Sequence, residues 1–218
     1  MPEKTLLAWI KSLNKPVFTS AGLAAVSGKS ASTISQGLSF LRGQGLVSKI
    51  YHGVWSEGDI LPSPYSVLPY ILPKQRAYVS FTSALHLRGI IEQIPQTITV
   101  SSVAHTREIR TNAGFFLIHR IDPSFFWGFG WNREGGDFLI AEPEKALADC
   151  LYISGYKKNS FSHFPEPHFP EKFSFKKVEF YLKKIKNPKI VSYGLKRLET
   201  IRKNRGFRQA DRFGGFGG

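Results

Sequence analysis

The stretch FTSAGLAAVSGKSASTISQGLSFLRGQGLVSKIYHGVW, Phe18–Trp55, decides how this chain folds. Thr19 suits the N-cap of a short helix, Ser20–Val26, because its hydroxyl can accept from an orphan amide of the first turn. Phe18 and Leu23 flank that start as a hydrophobic staple. Ser27-Gly28-Lys29 is a tight corner in which Gly28 can take a positive φ. A second helix follows from Ser30 to Gly43, with Ala31, Ile34, Leu38 and Leu41 on one apolar stripe. Turning about 100° per residue from Ile34 places Ser32, Gln36 and Ser39 on the opposite face, with Thr33 at its flank. Leu46–Tyr51 reads as a strand, His52-Gly53 as a turn, and Val54-Trp55 as the returning strand.

Upstream, Leu6, Leu7, Trp9, Ile10 and Leu13 have helical spacing over Thr5–Leu13, and Lys15-Pro16 ends that helix. Residues 1–60 therefore read as a winged helix-turn-helix domain. The outward face of its third helix is small, polar and uncharged, where a generic surface helix would carry Lys and Glu. Gln pairs with adenine, and Ser and Thr can donate or accept at base edges. Double-stranded DNA is the expected partner. Lys29, Ser30, Ser32, Thr33, Gln36 and Ser39 form the expected reading surface, and Lys49 and His52 stand near the tip of the wing.

Charge supports an acidic partner. The net charge is +14, divided unevenly along the chain. Residues 1–60 carry +3, residues 61–150 balance to zero, and residues 151–218 carry +11. Two basic amphipathic helices lie within this last segment. Over Phe175–Ile185, Val178, Tyr181, Leu182 and Ile185 face inward, with lysines outside. Over Ile190–Ile201, Leu195, Leu198 and Ile201 face inward. Lys196, Arg197, Arg202, Lys203 and Arg205 could hold phosphates away from the bases being read.

Between these ends, residues 61–77 are Pro-rich and are expected to form a linker or crossing without one regular element. Residues 78–210 read as a small mixed α+β domain, making the whole chain α+β. Ser80 or Thr82 can cap a helix Ser83–Arg88. Strands are expected at Thr97–Ser101, Gly114–Arg120 and Phe138–Ile140, and Pro143 opens a helix to Tyr152. Phe125–Trp131 is a dense aromatic run, and residues 211–218 are a Gly-rich tail expected to be flexible.

Three segments carry a resemblance. The Phe18–Trp55 pattern, YVSFTSALHLRGIIEQIPQTITVSS at Tyr78–Ser102 and FLIAEPEKALADCLY at Phe138–Tyr152 occur in the order found in AbiEi-type antitoxins and the related type IV toxin–antitoxin transcriptional regulators, which this chain resembles over about residues 1–155. The resemblance implies a repressor whose winged helix binds inverted repeats in its own promoter, with Lys29, Ser32, Thr33 and Gln36 on the DNA-reading surface. It also implies that the remaining domain neutralises a nucleotidyltransferase-like toxin without a stable complex.

Other classes find less in the sequence. No apolar run reaches the length of a membrane span, and no signal peptide opens the chain, so a cytoplasmic location is expected. The single cysteine, Cys150, sits in a helical apolar run and reads as a buried thiol. The six histidines lack a zinc spacing, and there is no P-loop or dinucleotide fingerprint. No cofactor, metal or catalytic set is expected. Asp137, Glu142 and Lys145 could serve a metal-dependent nucleic-acid enzyme, but Glu144 near a helix start and the i,i+4 pair Lys145–Asp149 have ordinary structural explanations. The alternatives to a repressor are a protein-binding regulatory module without a toxin partner, or such an enzyme.

Overall fold

The computed structural model describes residues 4–74, 76–132, 137–157, 161 and 166–213, with side chains described as far as residue 203. The chain is α+β, with eight α-helices and two sheets among the described residues. It divides into two compact units. The first comprises residues 1–75, 108–116 and 132–138, and the second residues 76–107, 117–131 and 139–218.

In the first unit, α1 (Leu6–Ser12), α2 (Ser20–Ser27) and α3 (Ala31–Gly43) pack with a three-stranded antiparallel sheet of β1 (Val17–Thr19), β2 (Val47–Tyr51) and β3 (Val54–Glu57), in the order β1-β3-β2. The expected end signals are in place. Thr19 caps α2, its hydroxyl accepting from the Gly22 amide at 2.9 Å. Gly28 closes α2 in the left-handed region at φ 67°, where a side chain would be strained. Ser30 is the N-cap of α3 rather than its first residue, and accepts from the Thr33 amide at 3.2 Å.

Ile10, Phe18, Leu23, Ile34, Leu38, Leu41, Val47 and Trp55 make one buried cluster. Each such side chain contributes about 1.5–3 kcal/mol when fully removed from water, so this cluster, more than helix propensity, holds three short helices together. Ala31 departs from the expected stripe. It is exposed because, as the first residue of α3, it lies beyond the edge of the cluster. Gly37 has a packing reason: a Cβ there would overlap the Leu6 side chain, which lies against the core cluster.

Residues 61–77 do not run without regular structure. They contain α4 (Pro64–Ile71), with Val67, Leu68 and Ile71 buried, and the first residue of β4 (Ala77–Val79). Pro64 stands at the start of the helix, where its missing N–H loses no bond. Pro69 inside the helix removes one intrahelical bond, which the buried face offsets.

The larger sheet has the order β6-β7-β5-β4-β9-β8, from β5 (Ile98–Ser102), β6 (Arg107–Thr111), β7 (Gly114–Arg120), β8 (Phe129–Asn132) and β9 (Phe138–Ala141) together with β4. β4 pairs antiparallel with β5 and parallel with β9. In the second unit, α5 (Phe81–Leu87) packs on β5, and α6 (Pro143–Tyr156) packs on α5 and on the pair α7 (Phe175–Lys183) and α8 (Pro188–Phe213). Val178, Tyr181, Leu182 and Ile185 are buried as expected, as is Cys150. α8 extends to Phe213, three residues into the stretch expected to be a flexible tail. Arg208–Phe213 has no helix breaker before the Gly214-Gly215 pair, and residues 214–218 lie outside the described residues.

The centre of this unit is polar. Lys145 and Asp149 are both fully buried, and the ammonium donates to Asp149 Oδ1 at 2.5 Å and to the Phe125 carbonyl at 2.9 Å. The other carboxylate oxygen, Oδ2, accepts from Tyr78 at 2.9 Å, Ser80 at 2.6 Å and Ser101 at 3.2 Å. Burial pushes the Lys145 pKa down, with Asp149 acting in the opposite sense. The bonds to Asp149 explain a departure at α5. Ser80 is its N-cap residue but makes no side-chain cap, because its hydroxyl is committed to Asp149.

Breaking such a pair leaves a buried charge without compensation, at a cost of about 3–5 kcal/mol. Asp149→Ala is expected to lower the unfolding free energy by about that amount, because it strands Lys145 and deprives three hydroxyls of their acceptor. Urea denaturation of the full chain measures it, and a loss below about 1 kcal/mol would contradict the role given to the pair.

Candidate nucleic-acid interface

Four of the residues expected to read DNA share one helix. With Ile34, Leu38 and Leu41 turned into the core, Ser32, Thr33, Gln36 and Ser39 are all exposed on α3. At the N-terminal end their hydroxyls are partly used locally. Ser30 Oγ lies 2.9 Å from both Ser32 Oγ and Thr33 Oγ1, while also accepting from the Thr33 amide. Ser30 is thus a cap first, and its exposed hydroxyl is shared among these groups. Gln36 and Ser39 lie beyond that cluster. Lys29 is half-buried at the α2–α3 corner, with its amide donating to Ser27 Oγ at 3.4 Å.

Further α3 side chains are exposed that the sequence pattern did not single out: Ser35, Phe40 and Arg42. Phe40 stands out, with 66% of its surface open. A helical wheel centred on Ile34 carries the signal for it. Phe40 falls on the same side as Gln36 and Thr33, outside the apolar stripe.

The β2–β3 hairpin places His52 as expected, exposed at its turn beside Gly53 at φ 67°. Lys49 is less of a tip residue. It is half-buried, cross-strand from Trp55, with its ammonium 5.9 Å from the indole centroid. The same indole donates to Ser20 Oγ at 2.9 Å, which ties β3 to the start of α2. β2 is irregular between Lys49 and Tyr51. The carbonyls there are taken up from the β6–β7 turn: Asn112 Nδ2 donates to Lys49 O at 2.8 Å and its amide to Ile50 O at 3.0 Å. This strand edge, which would otherwise present unpaired carbonyls, is fixed.

In the second unit, Lys196, Arg202 and Lys203 are exposed on α8, and Arg197 is half-buried. The side chain of Arg205 lies outside the described residues. Part of the basic surface is balanced by acids of the same unit. Lys177 meets Glu142 at 2.7 Å, Lys183 meets Glu179 at 2.6 Å, Lys186 meets Asp122 at 3.6 Å and Lys203 meets Glu199 at 4.0 Å. Lys176, Lys184 and Lys189 are exposed as well.

Of the groups considered for catalysis, Asp137 is exposed, whereas Glu142 and Lys145 are engaged by neighbours. Glu142 Oε2 accepts from Tyr181 at 2.7 Å and from Lys177. Although burial acts to raise its pKa, these bonds hold the carboxyl below the ordinary range. Glu144 accepts the Ser174 amide at 3.1 Å. Lys145 has no exposed surface. These contacts join the start of α6 to α7 and leave Lys145 closed to a substrate. In the aromatic run, Phe125 and Phe126 are core residues, whereas Trp131 is 60% exposed.

No helix among the described residues is long and apolar enough to cross a membrane. No family model and no curated protein matches the chain.

Proposed function

We propose that the first unit is a winged helix-turn-helix that binds double-stranded DNA sequence-specifically, with α3 in the major groove, and that the protein is a transcriptional repressor acting in the cytoplasm. One observation carries this reading. The exposed face of α3 presents Ser32, Thr33, Gln36 and Ser39 with Phe40 beside them and carries no acid, while its other face is locked into the core by Ile34, Leu38 and Leu41. A helix held so firmly from one side can present hydrogen-bonding groups to base edges without reorganising. His52 at the hairpin turn and Lys29 at the corner would contact the backbone beside the groove.

The resemblance to AbiEi-type antitoxins extends the proposal. The bound sites would be inverted repeats in the protein's own promoter, and the second unit would neutralise a nucleotidyltransferase-like toxin without forming a stable complex. Its segment resembling the Pro-Glu-Lys-Ala-Leu-x-Asp box is the start of α6, whose Lys145 and Asp149 build the polar centre described above. That box would therefore serve the fold of the antitoxin unit, and toxin contact would fall to exposed groups such as Trp131.

Gln36→Ala should lower the preference for a selected duplex over random DNA by about 1–3 kcal/mol, the value of one good base contact. A competition titration measures this, and equal losses on both DNAs would remove base reading from Gln36.

The basic helix is tested by charge and not by deletion, since removing α8 would also strip the buried Ile190 and Leu198 from the unit. Lys196→Gln with Arg202→Gln should weaken binding to any duplex. The slope of log K against log salt should fall by about 0.9 for each phosphate no longer neutralised. An unchanged slope would assign this surface to another partner.

For neutralisation, the full chain carrying Gln36→Ala should repress poorly yet still rescue growth when co-expressed with a toxin encoded beside it. Failure of the wild-type chain to rescue would remove the antitoxin role and leave DNA binding standing.

A further inference from the structure

Phe40 is the one large apolar side chain on the outer part of α3, and burial in this protein does not explain it. The core stripe of Ile34, Leu38 and Leu41 is complete without it. Its neighbours one turn away on the helix are Gln36, Gly37, Gly43 and Gln44, so it stands among polar and small residues. A contact with a second copy of the chain would call for a contiguous apolar patch around such an anchor. A single ring bordered by hydrogen-bonding groups suits a surface that alternates polar edges with isolated methyl groups. The major groove is such a surface, because thymine places its C5-methyl there beside the donors and acceptors of the neighbouring bases.

We propose that Phe40 is a specificity-determining residue that packs on the C5-methyl of a thymine, next to an adenine read by Gln36. The inference rests on the reading of α3 as the helix in the major groove. By helical periodicity Thr33, Gln36 and Phe40 form a stripe, with Phe40 about 40° round the axis from Gln36 and about 20° from Thr33. Four residues of helix advance about 6 Å, and base pairs stack about 3.4 Å apart. The thymine therefore lies within about two base pairs of the adenine. A ring at this position discriminates by shape: it gains contact with a methyl group and gains nothing from cytosine, which offers a polar amino group at its major-groove edge.

The test uses the full chain and a duplex selected from random sequence. Each thymine is replaced in turn by deoxyuridine, which deletes only the methyl group, and affinity is read by fluorescence anisotropy. With the wild-type chain, one thymine per bound α3 should be sensitive, losing about fourfold in affinity, the value of one buried methyl. Phe40→Ala should bind the thymine and uracil duplexes equally, Phe40→Leu should retain part of the difference, and Gln36→Ala should keep the methyl effect while losing the preference for adenine. Indifference to uracil at every position of a duplex that the chain does discriminate would overturn the role of Phe40 and leave α3 as the reader. An equal uracil effect in wild type and Phe40→Ala would do the same. Failure to select any duplex over random DNA would overturn both readings.

Discussion

The second unit is organised around one charge pair that water cannot reach. Lys145 and Asp149 lie a helical turn apart on α6, and neither can be buried alone. Their remaining hydrogen-bonding capacity decides what surrounds them. The carboxylate draws in hydroxyls from β4, from the residue that opens α5 and from β5, while the ammonium reaches the Phe125 carbonyl in the turn after β7. Strand pairing, the entry to α5 and the aromatic run are thus registered on a single point. The ring of Phe125 lies under the ammonium, 3.3 Å from Nζ to its centroid, so the aromatic residues serve the same centre.

Helix surfaces in this protein are of two kinds, and the contrast bears on function. On α7 and α8, lysines are paired with glutamates one turn away, Lys183 with Glu179 and Lys203 with Glu199. That pattern supports a solvated helix by a few tenths of a kcal/mol per pair. α3 uses no such support. Its stability comes from the Ser30 cap and from three side chains in the core, even though Gly37 and Gly43 lower its intrinsic propensity. The outer face is thereby relieved of any structural duty, and what stands there is Gln, Ser, Thr and one Phe.

Features that act over a few neighbouring residues were legible in the sequence. The Thr19 cap, the Gly28 corner, the β2–β3 turn at Gly53 and, apart from Ala31, the stripe of α3 each follow from local chemistry. So do β7 and the Pro143 start of α6. Features that depend on distant partners were not. β1 and β4 are three residues long, too short for alternation to declare itself, and exist because β3 and β5 pair with them. α4 contains two prolines, and only its buried face makes it a helix. Ser80 reads as a side-chain cap until Asp149, 69 residues away, takes its hydroxyl. At the candidate interface the polar residues of α3 could be placed by periodicity. The occupation of Ser32 and Thr33 by Ser30, and of Lys49 by Trp55, follows from rotamers and strand register that periodicity does not fix.

The central claim is that the outer face of α3 meets DNA. Backbone amide spectra of the full chain, recorded with a selected duplex and with a scrambled duplex of the same composition, test it most directly. The account predicts that the differences between the two complexes concentrate on residues 32–40, while changes common to both fall on His52 and the basic helix. Differences confined to other elements, with α3 unaltered by either duplex, would contradict it.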